Sequence, residues 1–200
     1  MDWLLLLTGA TGTYTLLFLL RLASRLLHTP SSHAVHFSPH GGCTDIIVGE
    51  LKQARHEILV LAYSFTSRPI AQALVDAKLR GARVEIILDH SNEDETHTEL
   101  PFLVEQGLTP LIDPHHAIAH SKVMVIDGHT VLTGSFNFTN QAEHENAENL
   151  VVLRGYPDLA AAYRKNFALH KDHARAPEAK DRATSQAHTG HGHDPVRHAA

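Results

Sequence analysis

The stretch "HSKVMVID", residues 120–127 of this 200-residue chain, sets a histidine and a lysine two positions apart at the start of an apolar run. If that run is a strand, the side chains of His120 and Lys122 leave the same face. Asp127 completes the pattern H-x-K-x4-D. One strand later, "TGSFNFTN" puts Ser135 and Asn137 in the same i, i+2 relation, and "ENAENLVV" sets Glu148 at the start of another strand. On neighbouring strand ends these residues can face one pocket. They would supply a nucleophile or base, a cation, two neutral hydrogen-bonding groups and a carboxylate. Displacement at a phosphodiester needs that set: a group to attack phosphorus, positive charge and donors around the non-bridging oxygens, and an acid for the leaving oxygen. With 18 histidines in the chain, the H-x-K pair alone would carry little weight. Its register with Asp127, Ser135, Asn137 and Glu148 carries the reading.

These side chains need a sheet to hold them. "VHF" at 35–37 is a short strand candidate, and Thr44 reads as the N-cap of a helix running to about Arg55. "EILVLAYSF" and "ARVEIILD" are apolar throughout, and between them "SRPIAQALVDAKLRG" has helical spacing, with Ser67 as cap and Gly81 as stop. Strand, helix and strand in that order argue for parallel strands covered by helices on both faces. "NEDETHTELPFLVEQG" supplies a further helix, interrupted or started by Pro101, before "LTPLID". "KVMVID", "HTVLTGSF" and "ENLVVLRG" follow as strands joined by short turns, with Asp127-Gly128 as a hairpin turn, and "DLAAAYRKNFALH" closes the domain as an amphipathic helix. The expected fold class is α/β with a mixed, mostly parallel central sheet flanked by helices on both faces.

Both ends differ from this domain. No charged side chain occurs from Trp3 to Leu20, and Arg21 and Arg25 follow. Residues 1–27 read as an N-terminal transmembrane anchor, with an uncleaved or cleaved signal and a buried helix as alternatives. The arginines would leave the folded domain facing the cytoplasm; a signal peptide would make it exported or periplasmic. Residues 28–34 are a polar linker, 35–170 the catalytic domain, and 171–200 a His-rich, aperiodic tail expected to be disordered.

Composition narrows the partners. A net charge of −5 excludes a broadly basic surface, so a polyanion would need a local site. Cys43 is the only cysteine, which excludes an intrachain disulfide and a multi-cysteine zinc site, and its turn position reads as a buried or neutral thiol. In "PHHAIAH", His116 and His120 stand four apart as helical metal ligands would, but Pro114 and the following strand pattern argue against a helix. Phe65 and Arg68 follow a strand and are candidate substrate contacts, with a core role for Phe65 and a solvated helix-start role for Arg68 as alternatives. Tyr63 and Phe136 read more readily as packing than as stacking groups.

With "HSKVMVID" and "GSFN" in hand, the sequence resembles the phospholipase D superfamily. The likeness takes in "FSPHGGC", "AYSFTSRPIAQAL" and "RGARVEIILD" and runs from about Val35 to His170. It is similar to the single-motif branch, which holds Nuc-type bacterial endonucleases and Zucchini-like mitochondrial cardiolipin hydrolase or endonuclease proteins. The resemblance implies metal-independent, two-step phosphodiester hydrolysis without a cofactor. His120 would form a phosphohistidine while the matching His120 of a second subunit handles the leaving-group proton. Lys122 and Asn137 would hold the non-bridging oxygens, Ser135 would assist, and Glu148 would orient His120 through Nδ1. Asp127 suits a turn-holding role better than a chemical one. One H-x-K per chain implies a homodimer with a shared site. A non-specific endonuclease on DNA or RNA is the preferred reading. A phospholipase D acting on phosphatidylcholine or cardiolipin is the alternative, and an inactive phosphate-polymer binder the remote one.

Overall fold

The computed structural model describes Phe18 and residues 30–178. The expected anchor, apart from Phe18, and residues 179–200 of the tail lie outside the described residues. Among the described residues, no helix is long and apolar enough to cross a membrane.

The elements run β1 (Ser32–Ser38), α1 (Cys43–Gln53), β2 (Glu57–Ala62), α2 (Arg68–Leu79), β3 (Arg83–Asp89), a 3-10 turn (His90–Glu93), α3 (Leu100–Glu105), β4 (Leu111–Asp113), β5 (Lys122–Ile126), β6 (Thr130–Gly134), α4 (Asn140–His144), β7 (Glu148–Arg154) and α5 (Pro157–His173). They form one seven-stranded sheet in the order β1-β7-β6-β5-β2-β3-β4. The mixed α/β class is as expected, but the sheet is not mostly parallel. Only β2–β3 and β3–β4 pair in parallel; β1–β7, β7–β6, β6–β5 and β5–β2 are antiparallel. The physical reason is connection length. A parallel neighbour needs a long crossover such as α2, whereas the turn at Asp127-Gly128 can only reverse the chain. Asp127 and Gly128 have positive φ, 50° and 69°, and with His129 they make the three-residue turn between the paired Ile126 and Thr130.

Strand alternation divides the core between two faces. Ile58, Val60 and Ala62 of β2 join Ile47, Leu51, Ile70 and Leu74 of α1 and α2 on one side. Leu59 and Leu61 join Val123, Val125 and, from α5, Ala160 and Phe167 on the other. Burial on both faces explains why β2 reads as unbroken apolar sequence.

The ends of several elements differ from expectation. Helix α1 starts at Cys43 with Gly42 as N-cap, so Thr44 lies inside the first turn. The Gly42 and Thr44 amides donate to the Glu143 carboxylate at 3.0 and 2.7 Å, a cap that comes from α4 instead of from the helix's own sequence. Ser67 does precede α2, although its side chain makes no capping bond. At the other end, α5 continues past residue 170 to His173, and the Arg175 and Ile112 backbones exchange hydrogen bonds of 2.8 and 2.9 Å. Residues 171–178 therefore belong to the folded unit.

Candidate active site

The ends of β1, β2, β3, β4 and β6 and the starts of β5 and β7 share one edge of the sheet, as the registers Ala62↔Lys122, Asp89↔Asp113, Gly134↔Leu150 and Ser38↔Glu148 require. The motif residues that precede, start or follow those strands are thereby brought to one edge. Asp127 closes the opposite end of β5 and is separated from them by the length of the strand.

His120 is exposed and Lys122 is buried, 6% accessible. The Tyr63 ring, just past β2, lies against both: its centroid is 4.6 Å from that of His120, and the Lys122 ammonium is 4.9 Å from it. Lys122 also donates to the His120 carbonyl at 2.8 Å, which ties the cation to the backbone of the imidazole it stands beside. Burial pushes the Lys122 pKa down, while Glu148 and Asp89 pull it back up. A cation held in that balance, with little water, is poised to gain from an anionic phosphate.

Asn137 opens onto the same cleft as Tyr63, about 450 Å³ in volume and lined also by Ser64, Asp94, Glu95, Thr139 and Asn146. Its Oδ1 is buried and has no hydrogen-bond partner among the described residues. Ser135 turns elsewhere: its Oγ accepts from the backbone and side-chain amides of Asn149 at 3.0 and 3.2 Å. That contact fixes the turn after β6, where a Cβ on Gly134 (φ 146°) would overlap the Asn149 carbonyl oxygen. Glu148 accepts from the Asn146 amide at 3.1 Å, and no hydrogen bond joins it to His120 among the described residues. Its field nonetheless reaches Lys122.

Asp127 sits apart, accepting from the Arg55, His56 and Glu57 amides at 2.9, 2.7 and 2.9 Å. This is a turn-holding position. Phe65 is fully buried, edge to face with Phe138 at 6.0 Å, and so is placed in the core. Arg68 remains exposed, paired with Glu99 at 3.1 Å and lying 3.9 Å over the Phe102 ring. Phe136 is buried packing. Cys43 is fully buried, and burial followed by the Glu143 charge pushes its thiol up to about 11.

Tyr63, read from the sequence as packing, lies against the His–Lys pair, a place that a lone aromatic after a strand does not advertise. One further contributor escaped the sequence reading. Asp89, buried at the end of β3, accepts from the Ala119 amide at 2.6 Å and so pins the segment that delivers His120. The carboxylate at the end of the apolar run "EIILD" was the available signal, since a buried charge there needs partners.

Comparison with known proteins identifies the family. A family profile described as "Cardiolipin synthase, PLD-like domain" matches residues 47–171. A phospholipase D of Rickettsia bellii is 40% identical over 135 residues, which are 68% of this chain and 67% of the relative. A mitochondrial cardiolipin hydrolase of Chlamydomonas reinhardtii is 30% identical over 117 residues, 58% of this chain and 52% of the relative. Among solved structures, Nuc from Salmonella typhimurium, a phospholipase D family member, superposes with a TM-score of 0.71 at 33% identity, covering 75% of this chain and all (100%) of Nuc. With its residues at one sheet edge and these relatives, the chain belongs to the phospholipase D superfamily and is a phosphodiester hydrolase of that superfamily.

Proposed function

We propose that this chain is a phospholipase D that removes small cationic or neutral headgroups from membrane phospholipids, phosphatidylcholine being the test case. The observation that carries this choice is the lining of the cleft that Tyr63 and Asn137 share, Tyr63 being also the ring that lies against His120 and Lys122. Its acidic side chains are Asp94 and Glu95, and among the described residues no lysine or arginine lines it. Such a cleft repels the flanking phosphates of a polynucleotide and attracts an ammonium headgroup, while Lys122 answers the single phosphate. The Rickettsia bellii relative, named phospholipase D, supports the same choice. It reverses the preference for an endonuclease drawn from the sequence alone.

In this reading His120 attacks phosphorus, the P–O bond to the headgroup breaks, and a phosphatidyl-histidine forms. Water then attacks phosphorus, the P–N bond breaks, and phosphatidic acid leaves. Lys122 and the Nδ2 amide of Asn137 hold the non-bridging oxygens as donors. The proton for the departing headgroup comes from His120 of a second copy, which then takes one from water. The edge strand β1 offers a surface for that copy, with Val35 and Phe37 49% and 65% exposed on one face, next to the site end at Ser38. The uncharged run from Trp3 to Leu20 would tether the domain beside its substrate, with the domain on the cytoplasmic side.

The test presents the full chain and its His120→Ala variant with phosphatidylcholine vesicles and, in parallel, with labelled single-stranded DNA. Choline release by the parent alone is the expected result. DNA cleavage without choline release would return the assignment to the endonuclease reading, and no His120-dependent turnover of either would leave a binding protein.

A further inference from the structure

A second cluster of chemistry-bearing side chains stands at the end of β4, where Asp113, His116, His170 and His173 offer ligand atoms all within 4.8 Å of one another. The cluster is built from two short pairs, D-x2-H leaving the strand and H-x2-H on the last turn of α5. His170 Nδ1, His116 Nδ1 and His173 Nε2 lie 2.6, 3.0 and 3.2 Å from one atom, Asp113 Oδ2. Asp113 is fully buried, and its other oxygen accepts from the backbone amides of His115 and His116 at 3.0 and 3.4 Å.

Hydrogen bonding alone accounts poorly for this convergence. His173 Nε2 is buried and has no hydrogen-bond partner among the described residues, despite standing 3.2 Å from the carboxylate oxygen. The three rings pack together, with centroids 4.9 to 5.7 Å apart, around one carboxylate. We propose that Asp113, His116, His170 and His173 form a structural site for one divalent transition metal of the zinc type.

The donor set selects the metal. Three imidazole nitrogens and one carboxylate oxygen suit zinc and its neighbours, whereas calcium and magnesium take oxygen ligands. With metal–ligand bonds of about 2.0–2.2 Å, a tetrahedral site has ligand–ligand edges of about 3.3–3.6 Å. To admit the ion the nitrogens need to move outward from Oδ2 by about 1 Å or less, and those standing up to 4.8 Å apart to draw together by about 1 Å. The backbone amides on Oδ1 hold the carboxylate in place as outer partners do in metal sites. The end of α5 also presents its carbonyl dipole to the cation. Four protein ligands close the site, so it staples instead of catalysing. It would fasten α5 to the loop 114–121, which carries His120 near its far end and whose Ala119 amide is held by Asp89. The pairing of His116 is thus with α5, not with His120.

The chain also carries His188, His191, His193 and His198, which would bind metal by themselves. The test therefore uses the full-length chain with those four changed to alanine and no affinity tag, stripped with a chelator and titrated with Co2+. The expected result is one Co2+ per chain with the intense visible bands of four-coordinate cobalt, displaced by Zn2+, and a Tm raised by metal. His116→Ala and His173→Ala, both at partly exposed positions, weaken binding at least about tenfold each while far-UV circular dichroism stays unchanged. Weak six-coordinate bands, no stoichiometric binding by the folded protein, or equal affinity in the His116→Ala/His173→Ala double variant would overturn the proposal. Should that double variant fail to fold, the stoichiometry and spectrum of the parent decide the question.

Discussion

Replacing Asp127 separates holding the fold from doing the chemistry. Its carboxylate accepts from three consecutive amides, of Arg55, His56 and Glu57, and clamps the β5–β6 turn to the start of β2. Asp127→Ala removes all three acceptors at once. A hydrogen bond to a charged group contributes about 1.5–3 kcal/mol. The Arg55 and His56 contacts are exposed, so water replaces much of what they lose, and the part-buried Glu57 contact dominates. Alanine at a φ of 50° adds strain of about 1 kcal/mol. The sum is about 3–5 kcal/mol, a fall in Tm on the order of 10 °C for a domain of this size. Asp127→Asn keeps an accepting oxygen and tolerates the left-handed backbone, so about half the loss returns. Calorimetric melts give the stability, and choline release well below both melting points gives the rate. The expected kcat of Asp127→Ala is within about twofold of the parent, because a residue remote from the reacting atoms does not change transition-state binding. An unchanged Tm with kcat down a hundredfold would refute this reasoning and place Asp127 in the chemistry.

Three further outcomes follow from buried groups. Lys122→Met abolishes activity by about 10²–10³-fold or more, yet the variant melts higher near neutral pH. Burial sets the folded-state pKa below the unfolded one, so folding is penalised while the amine is charged, and the penalty fades only as pH rises from the folded towards the unfolded pKa; a lower Tm at neutral pH would contradict this. Cys43, buried with its thiol pushed up to about 11, resists a thiol reagent at pH 7.5 in the native chain and reacts at once in denaturant. Glu50→Ala removes the partner of Arg154, which pairs with Glu50 at 2.6 Å but is 35% exposed and so reachable by water, and lowers stability by about 1 kcal/mol in urea denaturation.

The legible parts of this protein are those whose signal is contiguous. "HSKVMVID" and "GSFN" carry the reacting groups at strand spacing, and Asp127-Gly128 announces its own hairpin because both residue types accept the positive φ found there. The parallel pairing of β2 with β3 follows from the helix between them. Strand order beyond β4 was harder, since short connections fix direction but not which neighbour β5 and β7 choose. Contacts assembled across the sequence were not legible at all. Glu143 caps a helix 99 residues before it, and His170 and His173 meet Asp113 only because α5 packs back along the sheet. Nor do net charge and family likeness reveal that Asp94 and Glu95 line the cleft with Tyr63 and Asn137.

The central claim is that His120 takes the phosphatidyl group covalently before water does, and a competing alcohol tests it most directly. Full-length chain is given phosphatidylcholine vesicles with increasing concentrations of a primary alcohol, and choline, phosphatidic acid and phosphatidyl alcohol are measured together, beside His120→Ala. A phosphatidyl-histidine intermediate predicts phosphatidyl alcohol rising at the expense of phosphatidic acid, with all products absent in the variant. Choline release that yields phosphatidic acid alone at every alcohol concentration, or that persists in His120→Ala, would contradict the account.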